Sequence, residues 1–322
     1  MRKAPGSEPD ATATSRAAEA TGQVTPSDPS RTPSSADIVT GVATTLKEPG
    51  LVVLTGVPGA GLTTALRRIA AAYRGPVFTG GGLAILRTNP ALALTRAVRA
   101  RLPVTDPALL TEAVRSRVRG GLLVIDDLQW ADPLTVGALP GIAEHCRVLV
   151  ALRTPHPLPA EAVRRLRSIA RGWLPVPPLD DAAATELVRR AAPSLGPAGV
   201  ATVVRRAGGI PLALESLAKH AATQREPTSP ERADTDAAEA VDASRSGGTD
   251  LQVAYAVAEA LADLTRPART AMAALGLLGR PATRRLLGPG VDELDAADLI
   301  ADTDGEITPR SPYVAEVAAG ML

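Results

Sequence analysis

The sequence predicts an α/β fold, a parallel sheet covered by helices, and three observations predict it. Short continuous apolar runs, among them Leu51-Val52-Val53-Leu54 and Leu122-Leu123-Val124-Ile125, have the length of strands buried on both faces. Stretches of helical periodicity separate these runs, as the crossovers between parallel strands require. A glycine-rich turn follows the first run directly and opens a helical pattern over residues 65–73.

That turn reads Thr55-Gly56-Val57-Pro58-Gly59-Ala60-Gly61-Leu62-Thr63-Thr64. Gly56 and Gly61 have the spacing of the phosphate-binding pattern G-x-x-x-x-G-K-[ST], and Thr63 follows it, but Leu62 stands where the lysine belongs. Two jobs are thereby separated. Backbone N–H groups from Val57 to Thr63 can form a concave nest at a helix N-terminus, which attracts phosphate whatever the side chains are. The lysine would add a point charge, and losing one charge-assisted hydrogen bond costs about 1.5–3 kcal/mol, roughly 10- to 100-fold in affinity. Hydrolysis, which needs charge stabilised in the transition state, is expected to suffer more than binding. Arg67 and Arg68, a helical turn further on, are expected to point away from the loop.

Composition excludes several classes. With 322 residues, 45% hydrophobic, the chain can bury a sizeable core spread over two or three domains. A net charge of +1 and an aromatic content of 2% leave neither an electrostatic footprint for duplex nucleic acid nor a stacking surface for single strands. The one cysteine, Cys146, excludes an internal disulfide framework and fits a reducing, cytoplasmic setting. No apolar stretch approaches bilayer length, and no secretory apolar core follows Arg2 and Lys3, so no membrane association is expected.

The second informative stretch is Val124-Ile125-Asp126-Asp127-Leu128-Gln129-Trp130-Ala131-Asp132. Its strand delivers two carboxylates at its carboxyl end, the edge of a doubly wound sheet where ligands bind. Asp126 is placed to orient magnesium and Asp127 to polarise an attacking water, while paired aspartates can also simply cap a helix. A further strand, residues 147–152, ends at Arg153, which is placed either to sense a γ-phosphate or to serve a solvated structural role. Gly80-Gly81-Gly82, after the strand Pro76-Val77-Phe78-Thr79, is read as a flexible connector, with a second phosphate-facing loop as the alternative. His145 and Cys146 lack the partners that a metal site or an activated nucleophile needs.

The remainder divides by composition. Residues 1–36 are rich in Pro, Ser and Thr and are expected to be a disordered tail, ahead of an α/β domain over 37–177. Three helices, 179–192, 197–207 and 211–223, are expected to form a helical lid over 178–224. A polar linker, 225–250, then leads to a winged-helix-like helical domain, 251–322, with a recognition-type helix at 292–301 and a wing strand at Glu306-Ile307-Thr308-Pro309. That helix carries Asp292, Glu293, Asp295 and Asp298, which would repel phosphates, so it is expected to pack against protein rather than DNA.

These motifs, with Val148-Leu149-Val150-Ala151-Leu152-Arg153-Thr154 and Gly208-Gly209-Ile210-Pro211, resemble the STAND class of P-loop ATPases, in particular the ATPase portion of large LuxR-type transcriptional regulators. The resemblance implies a P-loop NTPase sheet with a lid and a winged helix, holding ATP or ADP with magnesium. It implies a binding set of Gly56, Pro58, Gly59, Ala60, Gly61, Leu62, Thr63, Thr64, Arg153 and Pro211, with Pro211 beside the adenine. Thr63 and Asp126 would hold the metal, Asp127 would be catalytic, Arg153 would be the sensor, and Trp130 would anchor the turn. Such regulators continue into helical repeats and a terminal helix-turn-helix. Without these, a protein partner is expected and direct DNA binding is not. Two readings follow: a nucleotide-responsive regulatory switch with weak or absent hydrolysis, and a pseudo-ATPase acting as a nucleotide-independent interaction module.

Overall fold

The apolar runs pair side by side. The computed structural model describes residues 35–223, 251–297 and 299–321, all within one compact unit. In it β1 (Gly50–Gly56), β2 (Val77–Gly81), β3 (Leu122–Asp126), β4 (Arg147–Arg153) and β5 (Ala170–Pro175) form a sheet in the order β2-β3-β4-β1-β5, every pair parallel. The period of two along each strand divides the core. Leu51, Val53, Leu123, Ile125, Val148 and Val150 face α3 (Leu92–Val98), α4 (Pro107–Val118), α5 (Pro133–Ala143) and α6 (Ala160–Ile169). Val52, Leu54, Leu122, Val124, Leu149 and Ala151 face α1 (Ser35–Thr45) and α2 (Leu62–Ala72). Helices therefore cover both faces, which is why the strands read as unbroken apolar runs.

A second body of structure rests on the carboxyl edge of this sheet. It comprises α7 (Asp181–Ala191), α8 (Pro197–Ala207) and α9 (Pro211–Thr223), then α10 (Leu251–Ala262), α11 (Arg266–Leu278), α12 (Arg284–Leu287), α13 (Val291–Ala296) and α14 (Pro312–Ala319). A small antiparallel sheet, in the order β6-β8-β7, joins β6 (Ala282–Thr283), β7 (Ile300–Thr303) and β8 (Glu306–Pro309). One apolar cluster runs through all of it, from Val188, Val203 and Leu214 of the lid helices to Met272, Ile307 and Tyr313. Val57 of the glycine-rich turn packs against the same cluster. The loop is thus anchored to the lid and C-terminal helices as well as to its own strand.

The expected helix 292–301 is corrected. Helix stops at Ala296, and Ile300 and Ala301 belong to β7, paired with Pro309 and Thr308. The reason is the two-residue turn Asp304-Gly305, whose φ values of 55° and 84° are those of a tight hairpin connection, so the chain must already be extended before it. The acidic residues of α13 bond locally: Glu293 accepts from the Thr265 N–H at 2.9 Å, and Arg284 lies between Asp292 and Asp302. β5 and α6 are elements that no sequence pattern marked. Helix α1 starts at Ser35, two residues before order was expected; the rest of the expected tail, and the expected linker 225–250, lie outside the described residues.

Candidate functional site

The glycine-rich turn has the backbone that its sequence demands. Gly59 and Gly61 lie at φ values of 80° and 90°, where side chains are strained, and Gly61 is the residue from which α2 starts. The turn closes with the Ala60 N–H bonded to the Val57 carbonyl at 3.0 Å. Pro58 is buried and Thr64 is exposed at the start of α2. Leu62 is partly buried: it packs against the apolar cluster between α2 and the sheet, and a Cβ on Gly56 would lie 3.6 Å from it. A side chain that cannot hydrogen-bond has taken the apolar route instead.

Beyond Thr63 opens a cavity of about 280 Å³, walled by Thr63, Arg67, Gly82, Arg96, Asp126 and Asp127 among others. Burial pushes the Asp126 carboxyl above the usual carboxylate range, as does the neighbouring Asp127 charge. The facing Thr63 hydroxyl, the Asp127 N–H at 2.9 Å and Arg67 pull it down again. Asp127 is exposed and held at a φ of 48°, which aspartate tolerates better than most residues. Two carboxylates and a hydroxyl suit a hard cation that keeps several waters and shares phosphate oxygens, so the residues fit magnesium. Among the described residues no group of three or more His, Cys, Asp or Glu could hold a metal by itself.

The expectation for Arg67 is corrected. Thr63, Leu66, Arg67 and Ala70 form one i, i+3, i+4, i+7 stripe, and that stripe lines the cavity. Arg96, on α3, lines it too, donating from Nη1 to the Gly81 carbonyl at 2.9 Å. The helical period that puts Thr63 beside Asp126 carries Arg67 with it, and this was the sequence signal available for it. The glycine triplet is likewise corrected. Gly80 and Gly81 are strand, and a Cβ on Gly80 would come within 2.1 Å of the Ala93 carbonyl, one on Gly82 within 2.5 Å of the Asp127 carbonyl. They are close-packing positions that also wall the cavity, neither connector nor separate loop.

Around Arg153 the stretch after β3 becomes a scaffold. Gln129, buried and unremarked in the sequence, donates to Asp127 Oδ1 at 2.8 Å and accepts from the Arg153 N–H at 3.2 Å. It ties the ends of β3 and β4 together. Asp132 caps α5 and bonds the Ala91 N–H, the Thr135 N–H and the Thr135 hydroxyl, so the last aspartate of the motif is structural. The Arg153 guanidinium lies over the Trp130 ring, 5.4 Å from its centre, and Nη2 is 3.8 Å from Glu259 of α10. Its Nε and Nη2 are buried without a hydrogen bond, as is the Thr154 hydroxyl. Arg153 therefore faces the C-terminal helices, not Asp126. His156, three residues further along, is held below its ordinary pKa by burial.

The lid sits directly on the glycine turn. The Leu212 N–H bonds the Gly59 carbonyl at 3.3 Å, a Cβ on Gly59 would be 2.7 Å from Leu212, and Pro211 lies 3.7 Å from where one on Gly61 would be. On this side the cavity is only about 40 Å³, between Gly56, Ala60, Thr154, Ile210, Arg310 and Val314 in part. Ile210 rather than Pro211 lines it.

No protein-family model and no curated protein sequence matches the chain. Solved structures do. It is similar to the Walker-type ATPase PABY2304 of Pyrococcus abyssi, with a TM-score of 0.55 and 13% identity over 91% of this chain and 99% of that one. Weaker likenesses are to the RuvB Holliday junction branch migration motor of Thermotoga maritima (TM-score 0.45, 15% identity, 85% and 89% covered) and to the STAND protein with a tetratricopeptide repeat sensor, PH0952, from Pyrococcus horikoshii (0.36, 16%, 88% and 42%). With the sheet order and the strand, turn and helix at Gly56 to Leu62, the first of these shows the P-loop NTPase fold.

Proposed function

We propose that this chain is a STAND-type regulatory switch that holds ATP or ADP with magnesium and hydrolyses it slowly or not at all. The observation that carries the reading is the seating of the lid on the glycine turn, through Leu212 and Gly59, beside a cavity that gathers Thr63, Asp126 and Asp127. A ligand at this junction would touch sheet, lid and C-terminal helices at once, which is what a switch requires. Thr63 and Asp126 are the metal-holding residues of the proposal, and Asp127 the group that orients water. Magnesium, when bound, supplies charge neutralisation between phosphate oxygens. In the proposal Arg153, stacked on Trp130 and facing Glu259, relays the state of the site to the C-terminal helices, Ile210 ahead of Pro211 faces the base, and a protein partner, in signalling or transcriptional control in the cytoplasm, receives the output. Slow turnover is supported by Leu62, a partly buried apolar side chain packed against the cluster under α2, which supplies no charge to a phosphate.

One observation favours the alternative, a pseudo-ATPase that binds protein without nucleotide: the cavity on the lid side has about 40 Å³, against the roughly 300–1,000 Å³ of a drug-sized site. Thermal unfolding with magnesium and ATP, ADP or neither, for the native chain and Leu62→Lys, separates the two. A ligand at 100 times its dissociation constant stabilises by about 2.7 kcal/mol, so the switch reading expects a raised midpoint in the native chain. A rise in the lysine variant alone supports the pseudo-ATPase, and none in either sinks the switch reading and leaves the pseudo-ATPase, which needs no nucleotide.

A further inference from the structure

A second sizeable cavity lies away from the glycine turn, between the lid and the C-terminal helices. It measures about 440 Å³, and its walls are α8, the end of α11 with the residues after it, the end of β8, and α14. Leu275, Pro281, Pro309, Pro312 and Ala315 make it apolar. Its floor is fixed backbone: a Cβ on Gly276 would lie 2.0 Å from the Ala315 carbonyl, so α11 and α14 are in close backbone contact there.

Three arginines converge on this apolar cleft. Arg206 is 8% exposed and bonded to Glu316 at 3.0 Å across the gap between α8 and α14. Arg205 and Arg280 are exposed at the rim, and neither has an ion pair among the described residues. Among the described lining residues, the Glu316 carboxylate stands beside these three guanidiniums. Two exposed guanidiniums beside an apolar surface suit an anion with an apolar body, because guanidinium is the side chain best shaped for carboxylate and phosphate. The volume lies within the range of small-molecule sites, with the combination such sites show of apolar walls and a few convergent polar groups.

We propose that this cleft binds a small amphipathic organic anion, its carboxylate or phosphate held by Arg205 and Arg280 and its apolar body against Pro309, Pro312 and Leu275. The proposal is independent of nucleotide binding. Its place in the fold gives it reach, because both walls continue to the glycine turn. Two residues past Arg206, α8 ends at Gly208 and leads into Ile210, and Pro312 follows Ser311; Ile210 and Ser311 both line the cavity beside Gly56.

The test is titration of the full chain with anilinonaphthalene sulfonate, an apolar ring system carrying one anionic group that fluoresces when it leaves water. The native chain is expected to saturate at one dye per chain. Arg205→Glu with Arg280→Glu, both at exposed positions, is expected to weaken binding at least about tenfold, the loss of one charge-assisted contact or more. Thr202→Trp, which fills the cleft from α8, is expected to abolish it. Arg165→Glu with Arg189→Glu, the same charge change on exposed arginines elsewhere, is expected to leave it unchanged. Equal binding by native and both cleft variants, or equal weakening by the distant pair, overturns the proposal. Displacement of the dye by benzoate or by phenyl phosphate identifies the anionic group, and displacement by neither also overturns it.

Discussion

The two sides of the glycine turn are built differently. Toward β3 the turn opens on a polar cavity of about 280 Å³ with two carboxylates, a hydroxyl and two guanidiniums at hand. Toward the lid it is closed to about 40 Å³ by the protein's own Ile210, Leu299 and Val314. The contrast teaches that the polar side is assembled by the sheet with α2 and α3, whereas room on the other side depends on where the lid and C-terminal helices stand. It also separates what the missing lysine affects, the charge over the phosphates, from what the lid affects, the room for a base.

The strongest way to break the closed side is Gly59→Val. The substitution forces a branched side chain to a φ of 80° and into Leu212, and we expect about 3 kcal/mol of lost stability in a denaturant titration. Asp132→Ala leaves three buried donors without their acceptor and removes the cap of α5; a loss of about 2 kcal/mol is expected by the same measurement. On the open side, Leu62→Lys is expected to tighten magnesium–ATP binding about 10- to 100-fold by calorimetric titration.

The carboxylate side can be read through pH. Asp126 has a folded pKa above its unfolded value, so the folded state holds its proton more tightly. Stability is therefore expected to fall as pH rises from the ordinary carboxylate value through the raised one, and to recover when magnesium is present. Asp126→Asn should remove that slope, which melting midpoints across the range would reveal. The smallest expected effect is that of Glu259→Ala. The pair it breaks is half exposed and spans 3.8 Å without a hydrogen bond, so stability changes by under about 1 kcal/mol, while amide exchange in α10 should quicken.

How much of this was legible in the sequence depends on whether a residue's role is set locally. β1, β3 and β4 could be read because a strand buried on both faces is an apolar run, and α7, α8 and α9 because their starts carry Asp180, Pro197 and Pro211. β5 could not: Ala170-Arg171-Gly172-Trp173 is an edge strand, whose pattern comes from pairing with β1 on one side only. The hairpin of β7 and β8 was signalled by Asp304-Gly305, and the acidic run before it suggested a longer helix. At the site, Gly61 precedes α2, Thr63 lies in its first turn and Asp126 ends β3, as the strand, turn and helix pattern predicts. Gln129, Arg96 and the contact of Arg153 with Glu259 join segments 24 to 106 residues apart, or 15 for Arg96 and Gly81, and no local pattern encodes such pairs.

On the proposed switch reading, a bound base displaces Leu212 from the glycine turn while the turn itself receives phosphate. Hydrogen exchange at the Leu212 amide, bonded to the Gly59 carbonyl, measures the first, and exchange over residues 57–63 measures the second. With magnesium and ADP at saturation, the account predicts faster exchange at Leu212 and slower exchange across 57–63. Unchanged exchange at Leu212 with protection of 57–63 would show that nucleotide enters without moving the lid, and would contradict it.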